Sequence, residues 1–278
     1  MAKECSSTTC TKESCEGCPS KNGNAAPDFR VELNGASSVK HVIGIVSGKG
    51  GVGKSFVTAS LANQMIKKGY KVGIMDADIT GPSIPKMYGV KGPATVENDS
   101  IVPLKADNGI SIMSINLLLP DEEEPVIWRG PVLANMVKQF WSDVNWGELD
   151  YLFVDMPPGT GDVPLTVFQS LPVEGIVIVS SPQDLVKMIV KKAFRMAEMM
   201  NIPVLGIVEN YSYVQCPDCG KKLQIFGESH IEEIAAGLNV PVLGKMPINP
   251  DYAKAADMGV FHAVDNDYLE AAVQVMPK

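Results

Sequence analysis

The chain has 278 residues, 45% of them hydrophobic, which suits one large α/β domain or two small ones and excludes disorder over most of its length. A formal net charge of −8 argues against nucleic acid as a bulk electrostatic partner. No apolar stretch approaches the roughly 18 residues of a membrane span, and the start MAKECSSTTC has no apolar signal core. The expectation is therefore a cytoplasmic protein with no membrane partner, in a compartment where thiols stay reduced.

Residues 1–38 are rich in Ser, Thr, Lys, Glu, Asn and Gly and show almost no apolar periodicity. Such an arm cannot build a core and is expected to be mobile unless a metal orders it. It carries four of the six cysteines, Cys5, Cys10, Cys15 and Cys18. The other two are Cys216 and Cys219 in CPDCG, and the long stretch between the groups has none. Cysteines used as small buried hydrophobes would be spread along strands and helices. Clustering in polar segments points to metal ligation or redox chemistry.

From residue 39 onward the chain reads as one α/β domain. Short β-branched runs are predicted as strands at 42–47, 71–78, 109–116, 151–157, 175–182, 204–210 and 240–247. Several are apolar without alternation, as strands covered on both faces should be. Amphipathic patterns at 53–69, 131–144 and 184–200 alternate with them, which predicts a doubly wound, mostly parallel sheet with helices on both faces.

Between the first strand and the first helix, GKGGVGKS satisfies G-x-x-x-x-G-K-[ST] at Gly48, Gly53, Lys54 and Ser55. The intervening Lys49, Gly50, Gly51 and Val52 complete a loop whose backbone N–H groups can converge on phosphate oxygens at a helix N-terminus. Lys54 would reach the β- and γ-phosphates of ATP and Ser55 would ligate Mg2+. Asp155, ending the strand YLFVD, is placed to hold Mg2+ through water. Asp76 and Asp78 end KVGIMDAD ahead of the Gly-Pro loop ITGPS, which suits a switch ordered by the γ-phosphate. Read alone, either strand-end aspartate is equally a helix cap.

Lys49 is a second lysine that the phosphates do not need from their own helix. KGGVGKS resembles the deviant phosphate loop of the MinD, ParA and nitrogenase iron protein class. The resemblance implies that Lys49 crosses a homodimer interface to the partner's nucleotide and that ATP is hydrolysed by a face-to-face dimer. DADITGPSIPKMYG, WRGPV, DMPPGTGD, SSPQDLV, ENYSYVQCPDCG and GKMPINP together resemble the Mrp/ApbC/Nbp-type iron–sulfur cluster carrier ATPases from about residue 40 onward. That resemblance implies a catalytic set of Lys49, Lys54 and Asp78, an adenine contact from Asn210, and delivery of clusters to apo iron–sulfur proteins with cluster scaffold proteins as partners.

In that family the C-x-x-C pairs of two subunits meet. One pair, Cys216 and Cys219, offers half the thiolates that a [4Fe–4S] cluster needs. The form CPDCG also suits zinc, and both readings stand on the sequence. The end of the N-terminal cluster, CEGCP, resembles the cysteine-bearing arm of the Nbp-type branch, although Cys5 and Cys10 lie closer to Cys15 than that pattern has them. Iron–sulfur or zinc are its candidate ligands. Phe56 also departs from the family, which carries Thr or Ser there to contact the α-phosphate. Two rival functions remain. A spatial-organising ATPase of the MinD/ParA kind would want a basic membrane or DNA surface, and the end AVDNDYLEAAVQVMPK is acidic. An ATP-driven electron donor would use single, separated cysteines.

Overall fold

In the computed structural model, residues 29–119, 128, 130–183 and 186–278 are described. The predicted strands form the body of one sheet: β1 (Ser38–Ser47), β2 (Val72–Asp76), β6 (Ser111–Ser114), β7 (Glu148–Asp155), β8 (Val173–Ser180), β9 (Val204–Gln215) and β11 (Val242–Pro247). Their spatial order is β11-β9-β8-β1-β7-β2-β6, parallel throughout. Short antiparallel strands finish the two ends: β5 (Leu104–Lys105) on β6, and β10 (Lys222–Leu223) on the far end of β9. A separate hairpin of β3 (Thr95–Glu97) and β4 (Ser100–Val102) stands off the main sheet. The unbroken burial of β2, of β1 from Val42 and of β7 from Tyr151 explains their continuous apolar sequence there, since neither face meets water.

Helices cover both faces. On one lie α1 (Lys54–Lys67), the short α2 (Ile84–Met87) and α8 (Glu270–Gln274), packed around Ile43, Ile45, Phe153 and Phe261; α7 (Pro250–Asp257) adds partly buried residues to this layer. On the other lie α3 (Gly130–Ser142), α4 (Asp162–Ser170), α5 (Val186–Met199) and α6 (Ile231–Leu238), around Val42, Phe140, Trp141 and Val154. Parallel connections of this kind place every strand's C-terminal end on one edge of the sheet, where ligands of open α/β sheets bind.

Two boundaries moved for physical reasons. The strand predicted over 71–78 stops at Asp76, because its carboxylate turns back to accept from the Asp78 backbone N–H at 3.2 Å. The strand predicted over 204–210 runs on to Gln215, through a kink where Tyr211 takes a left-handed φ of 59°. Residues 31–37 of the polar arm lie on the domain. Val31 N–H donates to the Ser170 carbonyl at 2.9 Å, and Trp141 Nε1 donates to the Val31 carbonyl at 3.0 Å. Residues 1–28 of the arm, with Cys5, Cys10, Cys15 and Cys18, lie outside the described residues. Among the described residues, no helix is long and apolar enough to cross a membrane.

Candidate functional site

The glycine loop leaves β1 at Ser47 and enters α1 at Lys54, as its sequence requires. Gly51 and Gly53 both have φ of 76°, a conformation that costs a side-chain-bearing residue energy. Gly53 is needed for a second reason: a Cβ there would sit 2.1 Å from Asn210 Nδ2. The bare backbone lets Asn210 come up beneath the loop and donate from Nδ2 to the Val52 carbonyl at 3.0 Å. Gly48 is closed from the other side, where a Cβ would fall 2.8 Å from the Ile189 carbonyl oxygen of α5. The first turn of α1 has neither a side-chain cap nor an acidic residue, so its N–H groups are available to an anion. A 330 Å³ cleft opens in front, lined among others by Lys49, Lys54, Ser55, Phe56, Asp78 and Tyr211.

Three polar side chains converge on Asp155 at the end of β7. Lys54 Nζ lies 2.7 Å from Oδ1, Thr58 Oγ1 donates to Oδ1 at 2.7 Å, and Ser55 Oγ donates to Oδ2 at 2.5 Å. Asp155 is fully buried, and Lys54 nearly so. A hydroxyl and a carboxylate side by side at a phosphate loop are hard oxygen donors of the kind Mg2+ takes, leaving room for phosphate and water. Thr58 was not singled out from sequence, yet it stands one helical turn after Lys54 and therefore on the same face.

Asp76 is the register partner of Asp155 on β2 and is likewise fully buried. Its carboxylate accepts from the backbone N–H groups of Asp78, Ser83 and Ile84 at 3.2 to 3.3 Å and from Ser114 Oγ at 3.4 Å. Both ends of the 78–83 loop are thus tied to one carboxylate. Burial first, then the Asp155 charge, push Asp76 up to about 8, opposed by the Lys54 ammonium and the Ile84 N–H. Asp78 stands at the cleft with Oδ2 3.8 Å from Lys54 Nζ. Burial lifts its carboxyl above the usual value, against the pull of Lys54.

Lys49 lines the mouth of the cleft, and its ammonium donates to Gln183 Oε1 at the approach to α5. Asn210 is fully buried behind the loop, and its Oδ1 has no partner. Its neighbour Tyr211 reaches the cleft instead. Phe56 packs its ring against Tyr252 and Phe261, at centroid distances of 5.5 and 5.0 Å. The position thus serves the packing between α1 and the C-terminal helices. Of the WRGP motif, Trp128 is partly exposed and Arg129 lies outside the described residues.

The C-x-x-C pair sits at the tip of the β9–β10 hairpin. Cys216 N–H donates to the Lys221 carbonyl, and Gly220 N–H donates back to the Cys216 carbonyl, both at 2.9 Å, with Gly220 at φ 70° making the turn. Backbone N–H groups of Cys219 and Asp218 bond the Cys216 sulfur and hold its thiol below the usual value, the state a metal ligand needs. Cys219 is exposed. Among the described residues, no group of three or more His, Cys, Asp or Glu is placed to hold a metal ion. Among the described residues, the hairpin therefore presents two thiols and no further ligand beside them.

Comparison with known proteins agrees with this geometry. A protein from Clostridium perfringens named iron-sulfur cluster carrier protein is 48% identical over 257 residues, spanning 89% of this chain and 90% of the relative. One of the same name from Methanococcus maripaludis is 42% identical over 94% of this chain and 91% of its own. A nucleotide-binding protein from Archaeoglobus fulgidus, solved in complex with ADP, superposes with a TM-score of 0.76 at 44% identity, covering 84% of this chain and 91% of that one. The cell division ATPase MinD of Pyrococcus furiosus, at 20% identity and a TM-score of 0.59 over 84% of this chain and 96% of its own, shares the fold. Residues 38–277 match the family described as ParA, NUBPL iron-transfer P-loop NTPase, and the chain belongs to that family.

Proposed function

We propose that the protein is an ATP-hydrolysing homodimer that holds a [4Fe–4S] cluster between two C-x-x-C pairs and passes it to apo iron–sulfur proteins, receiving it from scaffold proteins. The observation that carries this reading is the half-site at the hairpin. Cys216, whose thiol is held below its usual value by hydrogen bonds, and Cys219 form an ordered pair with two ligands too few for a cluster. A second copy of the chain supplies the missing pair by symmetry. The names of the relatives from Clostridium perfringens and Methanococcus maripaludis support the cargo, and the ADP complex from Archaeoglobus fulgidus supports the nucleotide.

In this reading the loop amides and Lys54 bind the phosphates, while Ser55 and, through water, Asp155 hold Mg2+. The metal neutralises charge on the β- and γ-phosphates. Asp78 orients the attacking water from the cleft wall. Lys49 acts on the nucleotide of the partner copy. Asn210 supports the loop from behind. The N-terminal cysteines hold a separate cluster, and the protein works in the cytoplasm.

The reading is tested by anaerobic reconstitution with iron and sulfide, counting metal per dimer. Wild type should hold one labile [4Fe–4S] cluster per dimer in addition to any cluster on the arm. Cys216→Ala or Cys219→Ala should lose it, together with transfer to an apo-protein. Undiminished transfer by the double variant, or zinc retained in place of iron, would overturn it.

A further inference from the structure

The nucleotide cleft and the cysteine hairpin are joined by one continuous strand, and that strand is irregular at a single place between them. Between the pairs Lys245–Glu209 and Pro247–Tyr213, β11 advances two residues while β9 advances four. The surplus is a bulge at Asn210–Ser212, with Tyr211 at φ 59°. A bulky residue in that conformation persists only where its surroundings hold it. Bulges commonly re-aim a side chain next to a functional site. Here the bulge turns Tyr211 into the phosphate cleft, its hydroxyl 3.0 Å from where a Cβ on Gly53 would stand. Cys216 follows five residues later on the same strand's end.

The bulge is also fastened. Glu209, 1% exposed directly after the apolar run Val204–Val208, accepts Ser212 Oγ at 2.6 Å on one carboxylate oxygen and Ser229 Oγ at 2.9 Å on the other. Ser212 lies on the outgoing side of the bulge. Ser229 lies where the chain returns from the hairpin to α6. Both ends of the excursion that carries Cys216 and Cys219 are therefore pinned to one buried carboxylate, two residues from the tyrosine in the cleft. Beyond the pins the excursion exposes Leu223, Ile225 and Phe226, so it is held at its base and little elsewhere.

We propose that the Glu209–Ser212 bulge is the joint through which the nucleotide cleft and the C-x-x-C hairpin bias each other, with Tyr211 as its positioning residue on the nucleotide side. A ligand that displaces the Tyr211 ring moves the bulge, and the Glu209 pins carry that movement to the base of the hairpin. By linkage the effect is reciprocal: a hairpin fixed by its ligand changes nucleotide affinity by the same factor. The inference rests on the carrier reading only in taking Cys216 and Cys219 as the working thiols.

The test uses the full, reduced, iron-free chain and follows alkylation of Cys216 and Cys219 peptide by peptide, with and without saturating Mg·ADP. Concentrations are chosen where sedimentation shows the same association state in both. Nucleotide should change the wild-type alkylation rate by roughly fivefold or more, and by less than about twofold in Ser229→Ala, a residue outside the cleft, at unchanged nucleotide affinity. Tyr211→Asn keeps the left-handed backbone without the ring and should show the same loss at saturating nucleotide, whatever its affinity. A merely structural role would shift the melting temperature and leave the nucleotide effect intact. No nucleotide effect in wild type, or a full effect in Ser229→Ala, overturns the proposal; if Ser229→Ala does not fold, Tyr211→Asn decides it by the same criterion. Because no iron is present, failure of cluster reconstitution would remove the carrier reading without touching this result.

Discussion

The Lys54 ammonium lies 2.7 Å from Asp155 Oδ1 and 3.8 Å from Asp78 Oδ2, and its charge also bears on Asp76. One nearly buried cation thus faces three carboxylates at the ends of two adjacent strands. Its removal leaves the ionised members of that set without their counter-charge, and this gives it a structural role beside the phosphate contact proposed for it.

Lys54→Met keeps the length of the side chain and removes the charge. It should abolish Mg·ATP binding and cost about 3–5 kcal/mol of stability in the nucleotide-free protein, the usual effect of breaking a buried pair. Calorimetric titration and denaturant melts on one preparation check both. A variant as stable as wild type would show that the carboxylates neutralise themselves by taking up protons.

Lys49→Ala should bind nucleotide normally and lose most hydrolysis, since its ammonium is held by Gln183 rather than by the Asp155 cluster. Mixed with a hydrolysis-dead Asp78→Asn chain, it should form heterodimers whose activity departs from the average of the two parents. A simple average places Lys49 in its own subunit's site.

Asp78→Asn keeps the shape of a side chain that stands at the cleft wall. It should bind ATP about as well as wild type and turn it over very slowly, with cluster loading intact and repeated delivery lost. Were Asp78 only a loop cap, the change would cost roughly 1 kcal/mol and leave single-turnover hydrolysis unchanged.

The buried Asp76 carboxyl gives the nucleotide-free protein a pH dependence of definite sign. Its folded value of about 8 lies above the reference value of 3.8, so the folded state binds the extra proton. The stability this contributes is fully present below the reference value and is lost as pH rises through about 8. Asp76→Asn is neutral throughout, so its melting temperature should gain on wild type between pH 5 and roughly 8.5. A gap that stays constant, or closes with rising pH, would mean that Asp76 is ionised in the fold.

The seven parallel strands and the phosphate loop were legible because their signals are local. Continuous β-branched runs, a glycine pattern and a helix immediately after it need no knowledge of distant residues. The convergence of Ser55 and Asp155 was legible too, since strand-end acids of parallel strands share one edge of the sheet. Three features were hidden by their dependence on packing. Thr58 acquires its role only once β7 lies beside α1. Glu209 reads as an anomaly in VLGIVEN until Ser229 folds back onto it. Tyr211 reaches the cleft only because the bulge turns it there, with Asn210 beneath the loop beside it. A one-residue displacement of this kind leaves no periodic trace.

The brace behind α1 carries a consequence for synthesis. Phe56 lies against Tyr252 and Phe261, Asn63 Nδ2 donates to the Phe261 carbonyl at 2.8 Å, and Gln64 Nε2 donates to the Asn266 carbonyl at 2.6 Å. Asn63 and Phe261 lie 198 residues apart along the chain. The ribosome therefore makes the phosphate loop early and the residues that seat its helix last. With residues delivered at about 5–20 per second, roughly 10–40 seconds separate the two. During that interval α1 lacks one wall, and the cleft in front of it takes its final form only once these late residues have been made.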